Sequence, residues 1–261
     1  MTVTLITGAA SGLGWAMARY WYASGHRLVL ADLNADGLAD RRRSLGDDSR
    51  VLTVAADITA PTDIQTLLDA TLSTFGRLDL LVNNAGITHR SVTHQTDPAV
   101  FRKVMAVDWQ GAVELTLAAL PALRESQGQV VTIGSMAGWM PVPGRAAYCA
   151  AKSALTQFFE VLRLELEPMG IHLLMVYPSF LDTPIEQHAL GANGQPARHA
   201  RSTVGAMTDA DTMARQIDQA LQRRRRWLLP EPVSRLGSVL WRLTPGFYLK
   251  LVRRKFAGDL S

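Results

Sequence analysis

Cysteine and long apolar runs are both scarce in this sequence of 261 residues. The single cysteine, Cys149, excludes a framework of intrachain disulfides and favours a reducing, cytoplasmic location. Because no uninterrupted apolar stretch reaches the roughly 18 residues of a membrane-spanning helix, none is expected. The opening residues carry no basic cluster and run directly into a strand-like segment, so no signal peptide is expected. The six histidines show no metal-ligand spacing, and no metal site is predicted.

Positive charge is concentrated late in the sequence. The formal net charge is +4, yet from residue 220 onward ten basic residues face two acidic ones, which makes that segment +8 and leaves −4 for residues 1–219. The hydrophobic content of 48% is sufficient for one large core. We therefore expect one α/β domain over residues 1–230, followed by a basic, apolar tail over residues 231–261.

A glycine-rich turn separates the first strand-like run, residues 3–6, from the first helical pattern. The turn spans Thr7 to Gly14. Strand, glycine turn and helix in this order indicate a dinucleotide-binding unit, with the pyrophosphate at the positive end of the helix. Gly8 permits the tight turn, Gly12 lets the backbone approach the pyrophosphate, and Gly14 lets helix and strand pack closely.

Three polar side chains of different kinds are predicted to converge further along the chain. Tyr148 and Lys152 stand four apart at the start of a long helical pattern, so they share one face. Ser135 ends the strand-like run 129–134. A hydroxyl from a strand end can then meet the phenol and the ammonium at the carboxyl edge of a sheet, where open α/β sheets bind ligands.

These groups suit proton transfer coupled to hydride transfer. A free tyrosine has a pKa of about 10, and a nearby ammonium favours the phenolate. Lowering that pKa by about 3 needs roughly 4 kcal/mol of differential stabilisation, which a close cation in a partly dry site, helped by an oxidised nicotinamide, can supply. Ser135 would hold the substrate oxygen and Tyr148 would move the proton. A lone tyrosine–lysine pair at this spacing is more often a surface feature, but the upstream glycine turn favours an active site.

Carboxylates follow the next two strand-like runs. Asp32 ends the run 27–31, about 20 residues after the glycine turn, and suits the ribose hydroxyls of an adenosine. It would repel a 2′-phosphate, so NAD(H) is preferred over NADP(H), provided that Arg41 to Arg43 lie on a solvated helix face. Asp57 follows the run 51–56 and either accepts a hydrogen bond from the adenine amino group or caps a turn; the sequence leaves both open.

Together the motifs resemble those of the short-chain dehydrogenase/reductase family. The matching features are the glycine turn, Asn83 to Gly86 after a fourth strand-like run, Ser135, the Tyr148–Lys152 pair, and the thirteen-residue Ser–Tyr spacing. The resemblance covers residues 1–230. It implies a single Rossmann-like domain with a doubly wound, seven-stranded parallel sheet, a nicotinamide cofactor, and interconversion of carbonyl and alcohol.

The motifs and the resemblance together assign two sets of residues. The residues assigned to the cofactor are Gly8, Ser11, Gly12, Leu13, Gly14, Asp32, Asp57, Ile58, Asn84, Ala85, Gly86, Tyr148, Lys152 and Thr183. The residues assigned to catalysis are Ser135, Tyr148, Lys152 and Asp108.

Two positions depart from the family pattern. Asp108 stands where the family usually has an asparagine that helps hold a water near the lysine. Its charge would stabilise the ammonium of Lys152 and partly cancel that field at Tyr148, which predicts a slower enzyme or a shifted pH optimum. Ser179 replaces a glycine in the loop that leads to Thr183, and would be strained if its φ were positive.

The segments after this loop are predicted from their composition. Residues 185–206 are polar and irregular and are expected to form a substrate lid, with His188 and His199 exposed. Residues 233–256 alternate apolar clusters with cations and are broken at Pro245–Gly246. This pattern favours two short amphipathic helices on an anionic membrane surface, or equally a tail packed on a neighbouring subunit or over the active site. Nucleic-acid binding is less expected.

The leading hypothesis is an NAD(P)-dependent oxidoreductase, with NAD(H) preferred, that interconverts a secondary alcohol and a ketone on a fairly hydrophobic small molecule. One alternative is a nucleotide-binding sensor or scaffold of the same fold, weakened in catalysis by Asp108. Another is a peripheral membrane adaptor that acts through its tail. The resemblance also implies a homodimer or homotetramer built on helices at 99–125 and 148–168.

Overall fold

A computed structural model describes residues 1–46, 49–179, 181–183, 185, 188–197, 207–230 and 232–256. The strands are β1 (Val3–Thr7), β2 (Arg27–Asp32), β3 (Val51–Ala55), β4 (Leu80–Asn83), β5 (Gln129–Ile133), β6 (His172–Val176), β7 (Leu181–Asp182), β8 (Thr208–Asp209) and β9 (Trp227–Leu228). The helices are α1 (Gly12–Ala23), α2 (Ala35–Ser44), α3 (Pro61–Phe75), α4 (Pro98–Met105), α5 (Ala112–Ser126), α6 (Ala146–Leu166), α7 (Ala210–Gln222), α8 (Pro232–Leu243) and α9 (Pro245–Lys255).

The main sheet has seven parallel strands in the order β3-β2-β1-β4-β5-β6-β9. Its inner strands are almost wholly buried and mainly apolar, because helices cover both faces. The helices α1, α2 and α7 pack on one face, and α3, α5 and α6 pack on the other. The predicted doubly wound, Rossmann-like fold is confirmed.

The strand order changes direction between β1 and β4. The chain runs outward from β1 to β3 on one side and from β4 to β9 on the other. A crevice opens where the loops after β1 and β4 part, at the carboxyl ends of the strands. The glycine turn and Asn83 to Gly86 are the two loops that border this crevice.

The single helix predicted at 99–125 is wrong in detail. The chain forms α4, then a six-residue π-helical segment, Ala106–Gly111, and then α5. Asp108 lies within the π-helical segment. Such insertions widen a helix locally and frequently occur at functional sites.

The tail forms two short helices, as predicted. Pro245 occupies the first turn of α9 and cannot continue α8, so the chain turns at Thr244. Within the described residues, no helix is both long enough and apolar enough to cross a membrane. The division of the chain at residue 230 stays a prediction.

Candidate active site

The glycine turn is held in a tight conformation at the end of β1. Gly8 and Gly12 have positive φ values of 65° and 54°, which favour glycine. A Cβ on Gly14 would lie 2.2 Å from the carbonyl oxygen of Gly8, so only glycine fits where α1 meets the turn. The backbone is thereby left open to the cleft.

The loop after β4 clamps this turn. The Asn84 side-chain amide donates to the carbonyl oxygens of Thr7 and Gly8 at 2.9 and 3.2 Å. The Thr7 hydroxyl accepts from the backbone N–H groups of Asn84 and Ala85, both at 3.0 Å. The two loops bordering the crevice therefore form one rigid wall.

The start of α1 is suited to an anion. The Ser11 side chain makes no capping hydrogen bond, and no acidic residue stands in the first turn. The N–H groups of that turn are thus not capped by Ser11, and they lie at the positive end of the helix dipole. This end of α1 borders the cleft through Ser11, Gly12 and Leu13, and a pyrophosphate fits it.

Asp32 lies at the end of β2 and borders the same cleft. One carboxylate oxygen accepts from the N–H of Ala10 at 3.0 Å, and the other accepts from Asn34 N–H at 3.0 Å. These bonds fix the carboxylate beside the glycine turn, where the ribose of an adenosine would lie. Contact with a ribose stays a prediction.

The prediction of a solvated face for Arg41 to Arg43 is wrong for Arg41. Its guanidinium donates to the carbonyl oxygen of Ala10 at 2.8 Å and lies 5.0 Å from the centre of the Trp15 ring. A cation therefore lies close to the glycine turn. Arg43 is exposed and pairs with Asp40.

Asp57 stabilises a turn in this structure by accepting hydrogen bonds from Thr59. One carboxylate oxygen accepts from the N–H and the hydroxyl of Thr59, at 2.9 and 2.7 Å. Asp57 and Ile58 both border the cleft. The turn role is thus observed, and contact with an adenine stays a prediction.

The structure brings Ser135, Tyr148 and Lys152 to one end of the cleft. Ser135 lies two residues after the end of β5, and its hydroxyl accepts from Ala137 N–H at 3.1 Å. Tyr148 and Lys152 lie on the first two turns of α6. The Lys152 ammonium lies 5.7 Å from the centre of the Tyr148 ring.

Lys152 is fixed by two further contacts. Its Nζ donates to the carbonyl oxygen of Ile133 at 3.1 Å and lies 3.3 Å from Oδ2 of Asp108. The other carboxylate oxygen of Asp108 accepts from Ile87 N–H at 2.7 Å. Both Asp108 and Lys152 are buried, so this ion pair is shielded from water.

The environment raises the pKa of Tyr148. Desolvation is the main cause and the Asp108 carboxylate adds to it, while the Lys152 ammonium and a hydrogen bond with Ser135 oppose it. The sequence predicted a pKa lowered jointly by the cation and an oxidised nicotinamide; the Lys152 ammonium alone does not outweigh desolvation, and the joint effect stays a prediction. Desolvation acts to lower the pKa of Lys152. Attraction of the ammonium to Asp108 and Tyr148 outweighs desolvation, so the pKa of Lys152 is raised and the group stays an ammonium.

Thr183 lines the cleft together with Ile185 and the exposed His188, and its contact with a nicotinamide stays a prediction. The φ of Ser179 is not positive, so the strain considered for that position is absent. Much of the predicted lid, including His199, lies outside the described residues.

Residues of both tail helices border the cleft, and none of them was among the predicted site residues. Gly237 and Leu240 of α8, and Tyr248 and Val252 of α9, line the cleft, which has a volume of about 790 Å³. Phe256 is buried at its end. The spacing of Tyr248, Val252 and Phe256 by four residues is a helical signal that could have revealed this inner face.

The tail therefore packs over the cleft, one of the arrangements left open by the sequence. Burial raises the pKa of Tyr248 to about 12, with Cys149 adding to the effect. The Arg242 guanidinium lies 5.9 Å from the centre of the Trp139 ring. Arg242 thus joins α8 to Trp139, and Tyr248 of α9 lies near Cys149 on α6.

Arg145 is another cleft residue that was not predicted from the sequence. It precedes α6, borders the cleft and donates to the Thr88 hydroxyl at 3.3 Å. The Arg145 cation also acts to lower the pKa of the Tyr148 phenol, but less than the other groups named above. Arginine at this position carries no motif of its own, so only the folded arrangement reveals it.

Comparison with known proteins gives a consistent result. A family model described as short chain dehydrogenase matches residues 2–194. The chain is 35% identical to dehydrogenase/reductase SDR family member 7B of Bos taurus, over 96% of this chain and 80% of that protein. It is 34% identical to 11-beta-hydroxysteroid dehydrogenase A of Sesamum indicum, over 92% of this chain and 71% of that protein.

The fold of this chain also resembles that of a solved structure. The 3-ketoacyl-(acyl-carrier-protein) reductase from Brucella melitensis, complexed with NADH, superposes with a TM-score of 0.76 at 26% identity. The match covers 87% of this chain and 95% of that one.

Proposed function

Because the chain belongs to the short chain dehydrogenase family, whose members are oxidoreductases acting on CH–OH groups, we propose that it interconverts a secondary alcohol and a ketone with a nicotinamide dinucleotide. The observation that carries the proposal is the convergence of Ser135, Tyr148 and Lys152 in the cleft that the glycine turn borders. The cofactor end and the proton-transfer end of one cleft are thus both present.

The chain's own residues handle the proton and the substrate oxygen. When bound, a nicotinamide accepts or supplies the hydride. Ser135 holds the substrate oxygen, and the Tyr148 phenol exchanges a proton with it. Lys152 stays an ammonium and favours the phenolate during alcohol oxidation.

NAD(H) is the proposed cofactor. Support comes from Asp32, whose carboxylate is fixed beside the glycine turn and would repel a 2′-phosphate. Arg41 is the nearest opposing feature, yet its guanidinium is engaged with Ala10 and Trp15. We infer that the carboxylate decides the preference.

A fairly hydrophobic substrate is proposed. The cleft wall beyond Tyr148 is mainly apolar and includes Met140, Val142, Leu240 and Val252. The similar proteins include one named for a hydroxysteroid and one named for a ketoacyl group. Both names describe carbonyl or hydroxyl compounds with large apolar parts, which suits such a wall.

A second candidate function is a nucleotide sensor or scaffold of the same fold. Asp108 favours it, because its charge opposes ionisation of Tyr148. The retained Ser135, Tyr148 and Lys152 favour the enzyme. Cofactor binding without turnover on any substrate class would favour the sensor.

Homo-oligomerisation and a cytoplasmic location belong to the same proposal. Exposed apolar side chains on α5 and α6, namely Leu117, Val161 and Leu164, support contact between copies of the chain. The single cysteine supports a reducing compartment. Peripheral membrane contact through the tail is proposed as well.

The test is nicotinamide absorbance with NAD and NADP against a panel of apolar secondary alcohols and ketones. Turnover that Tyr148→Phe abolishes would support the enzyme. Tyr20→Phe is the matched control, because it removes a phenol that donates to Asp218, which does not border the cleft. Turnover that survives Tyr148→Phe would contradict the assigned proton donor.

A further inference from the structure

The tail helices form a hairpin with two unlike faces. We use the term tail hairpin for α8 and α9, residues 232–256. Its inner face lines the cleft through Gly237, Leu240, Tyr248 and Val252. Trp241 and Tyr248 join the two helices by an edge-to-face contact with 5.5 Å between ring centres.

The outer face of the tail hairpin is apolar and exposed. On α8, Leu236, Val239 and Leu243 recur at helical spacing, are exposed and do not line the cleft. On α9, Phe247 is exposed and does not line the cleft, whereas Leu251 borders it. The four outer residues are between 51% and 75% exposed. An exposed apolar surface of this kind marks an interaction site.

Cations border this apolar surface, and acids are missing from it. Arg235 and Arg242 flank the stripe on α8, and Lys250 and Arg254 share the face of Phe247 on α9. No Asp or Glu occurs in the sequence between residues 232 and 256. Among the described residues, no carboxylate lies within ion-pair distance of Lys250 or Arg254.

We propose that the outer face of the tail hairpin docks on an anionic lipid surface. Short amphipathic helices with an apolar stripe bordered by Lys and Arg lie in the plane of a membrane interface. Anionic head groups complement the cations, and the apolar side chains enter the boundary between head groups and acyl chains.

Docking places the cleft next to the bilayer. The same two helices contact lipid on one face and line the cleft on the other, so an apolar substrate passes between them without crossing bulk water. This step rests on the proposed oxidoreductase function, whereas docking itself does not. The cleft entrance at the tail hairpin then selects for substrates that dissolve in membranes.

Co-sedimentation of the full chain with vesicles tests the docking. The vesicles are made of phosphatidylcholine alone or of phosphatidylcholine mixed with phosphatidylserine. We expect strong partitioning only into the mixed vesicles. Lys250→Gln combined with Arg254→Gln should weaken that partitioning about 30-fold, since each cation near an anionic surface contributes about fivefold. Leu236→Gln, Leu243→Gln and Phe247→Gln together should reduce it to background.

Matched controls carry equal changes elsewhere. Leu72→Gln with Met169→Gln removes exposed apolar side chains, and Arg124→Gln with Arg223→Gln removes exposed cations; both pairs should partition like the wild type. Tyr148→Phe should partition normally, which separates docking from catalysis. Equal partitioning of all variants, or no dependence on phosphatidylserine, would overturn the proposal. So would a change of oligomeric state in lipid-free sedimentation velocity caused by the tail variants, because the face would then join copies of the chain.

Discussion

The carboxylate of Asp108 lies 3.3 Å from the ammonium of Lys152, and both groups are buried. Burial raises the pKa of the Asp108 carboxyl, while the Lys152 ammonium and the Ile87 N–H oppose that rise. In its ionised form the carboxylate partly cancels the field of the Lys152 ammonium at Tyr148. Asp108 lies in the π-helical segment, and its carboxylate also accepts a hydrogen bond from Ile87 N–H. This bond helps to hold the carboxylate in place. We treat Asp108 as a positioning residue that acts on Tyr148 through Lys152.

Asp108→Asn should make Tyr148 a stronger acid. The substitution removes a carboxylate that raises the pKa of Tyr148 and leaves the Lys152 ammonium in place. The pH at which alcohol oxidation begins should fall, with a severalfold gain in kcat/KM at neutral pH. The measurement is the pH–rate profile beside Asp69→Asn, an exposed control on α3. An unchanged profile would rule out the electrostatic role.

Asp32→Asn should shift cofactor preference toward NADP. The amide keeps a hydrogen-bond acceptor for the N–H of Ala10 or Asn34 but loses the charge that repels a 2′-phosphate. We expect the ratio of kcat/KM for NADP to that for NAD to rise about tenfold, or ~1.4 kcal/mol. Asp36→Asn on the exposed first turn of α2 is the control. If the ratio does not move, Asp32 does not set the preference.

Gly14→Ala should abolish cofactor binding and destabilise the fold. The added Cβ would lie 2.2 Å from the Gly8 carbonyl oxygen, which only a shift of the glycine turn can relieve. We expect a loss of more than about 3 kcal/mol in the free energy of unfolding, measured with urea. Gly246→Ala is the control, because nothing lies within 4 Å of its Cβ. Equal stability of the two variants would contradict the packing described for α1.

His89 should make the protein sensitive to acid. Burial lowers the pKa of its imidazole from 6.5 to about 4, with Arg145 adding to the effect. Between those values the unfolded chain binds a proton that the folded chain does not, so stability should fall as pH drops from 6.5 toward 4. The loss attributable to His89 should approach about 3 kcal/mol.

Urea unfolding at pH 7 and near pH 4.5 measures this loss. His89→Gln should lose less stability than the wild type over that interval, while His94→Gln, at an exposed position, should behave like the wild type. Parallel losses in all three proteins would show that other groups carry the acid sensitivity.

The cofactor side of the cleft could be predicted because its residues are local in sequence. Gly8 and Asn84 directly follow β1 and β4, Asp32 is the last residue of β2, and a parallel sheet brings strand ends to one edge. The carboxylate–lysine contact of Asp108 was also predicted, from charge and the position of a motif. In each case the local pattern contains the information that determines the position.

What the sequence did not reveal depends on tertiary contacts. Arg41 folds back onto Trp15 and Ala10, which no helical period indicates. The raised pKa of Tyr148 follows from how much of the phenol the surrounding segments desolvate. The π-helical segment around Asp108 interrupts a pattern that reads as one continuous helix. Each of these needs the packed arrangement of distant segments.

The cleft wall formed by Leu240, Tyr248 and Val252 comes from helices joined to the sheet only beyond β9. The glycine turn and the Tyr148–Lys152 pair belong to the sheet and to the helices packed on it. Substitutions on the inner faces of α8 and α9 therefore reshape this wall without changing the residues at the strand ends. In evolutionary terms, one wall of the cleft can diversify while the edge of the sheet that borders it stays constant.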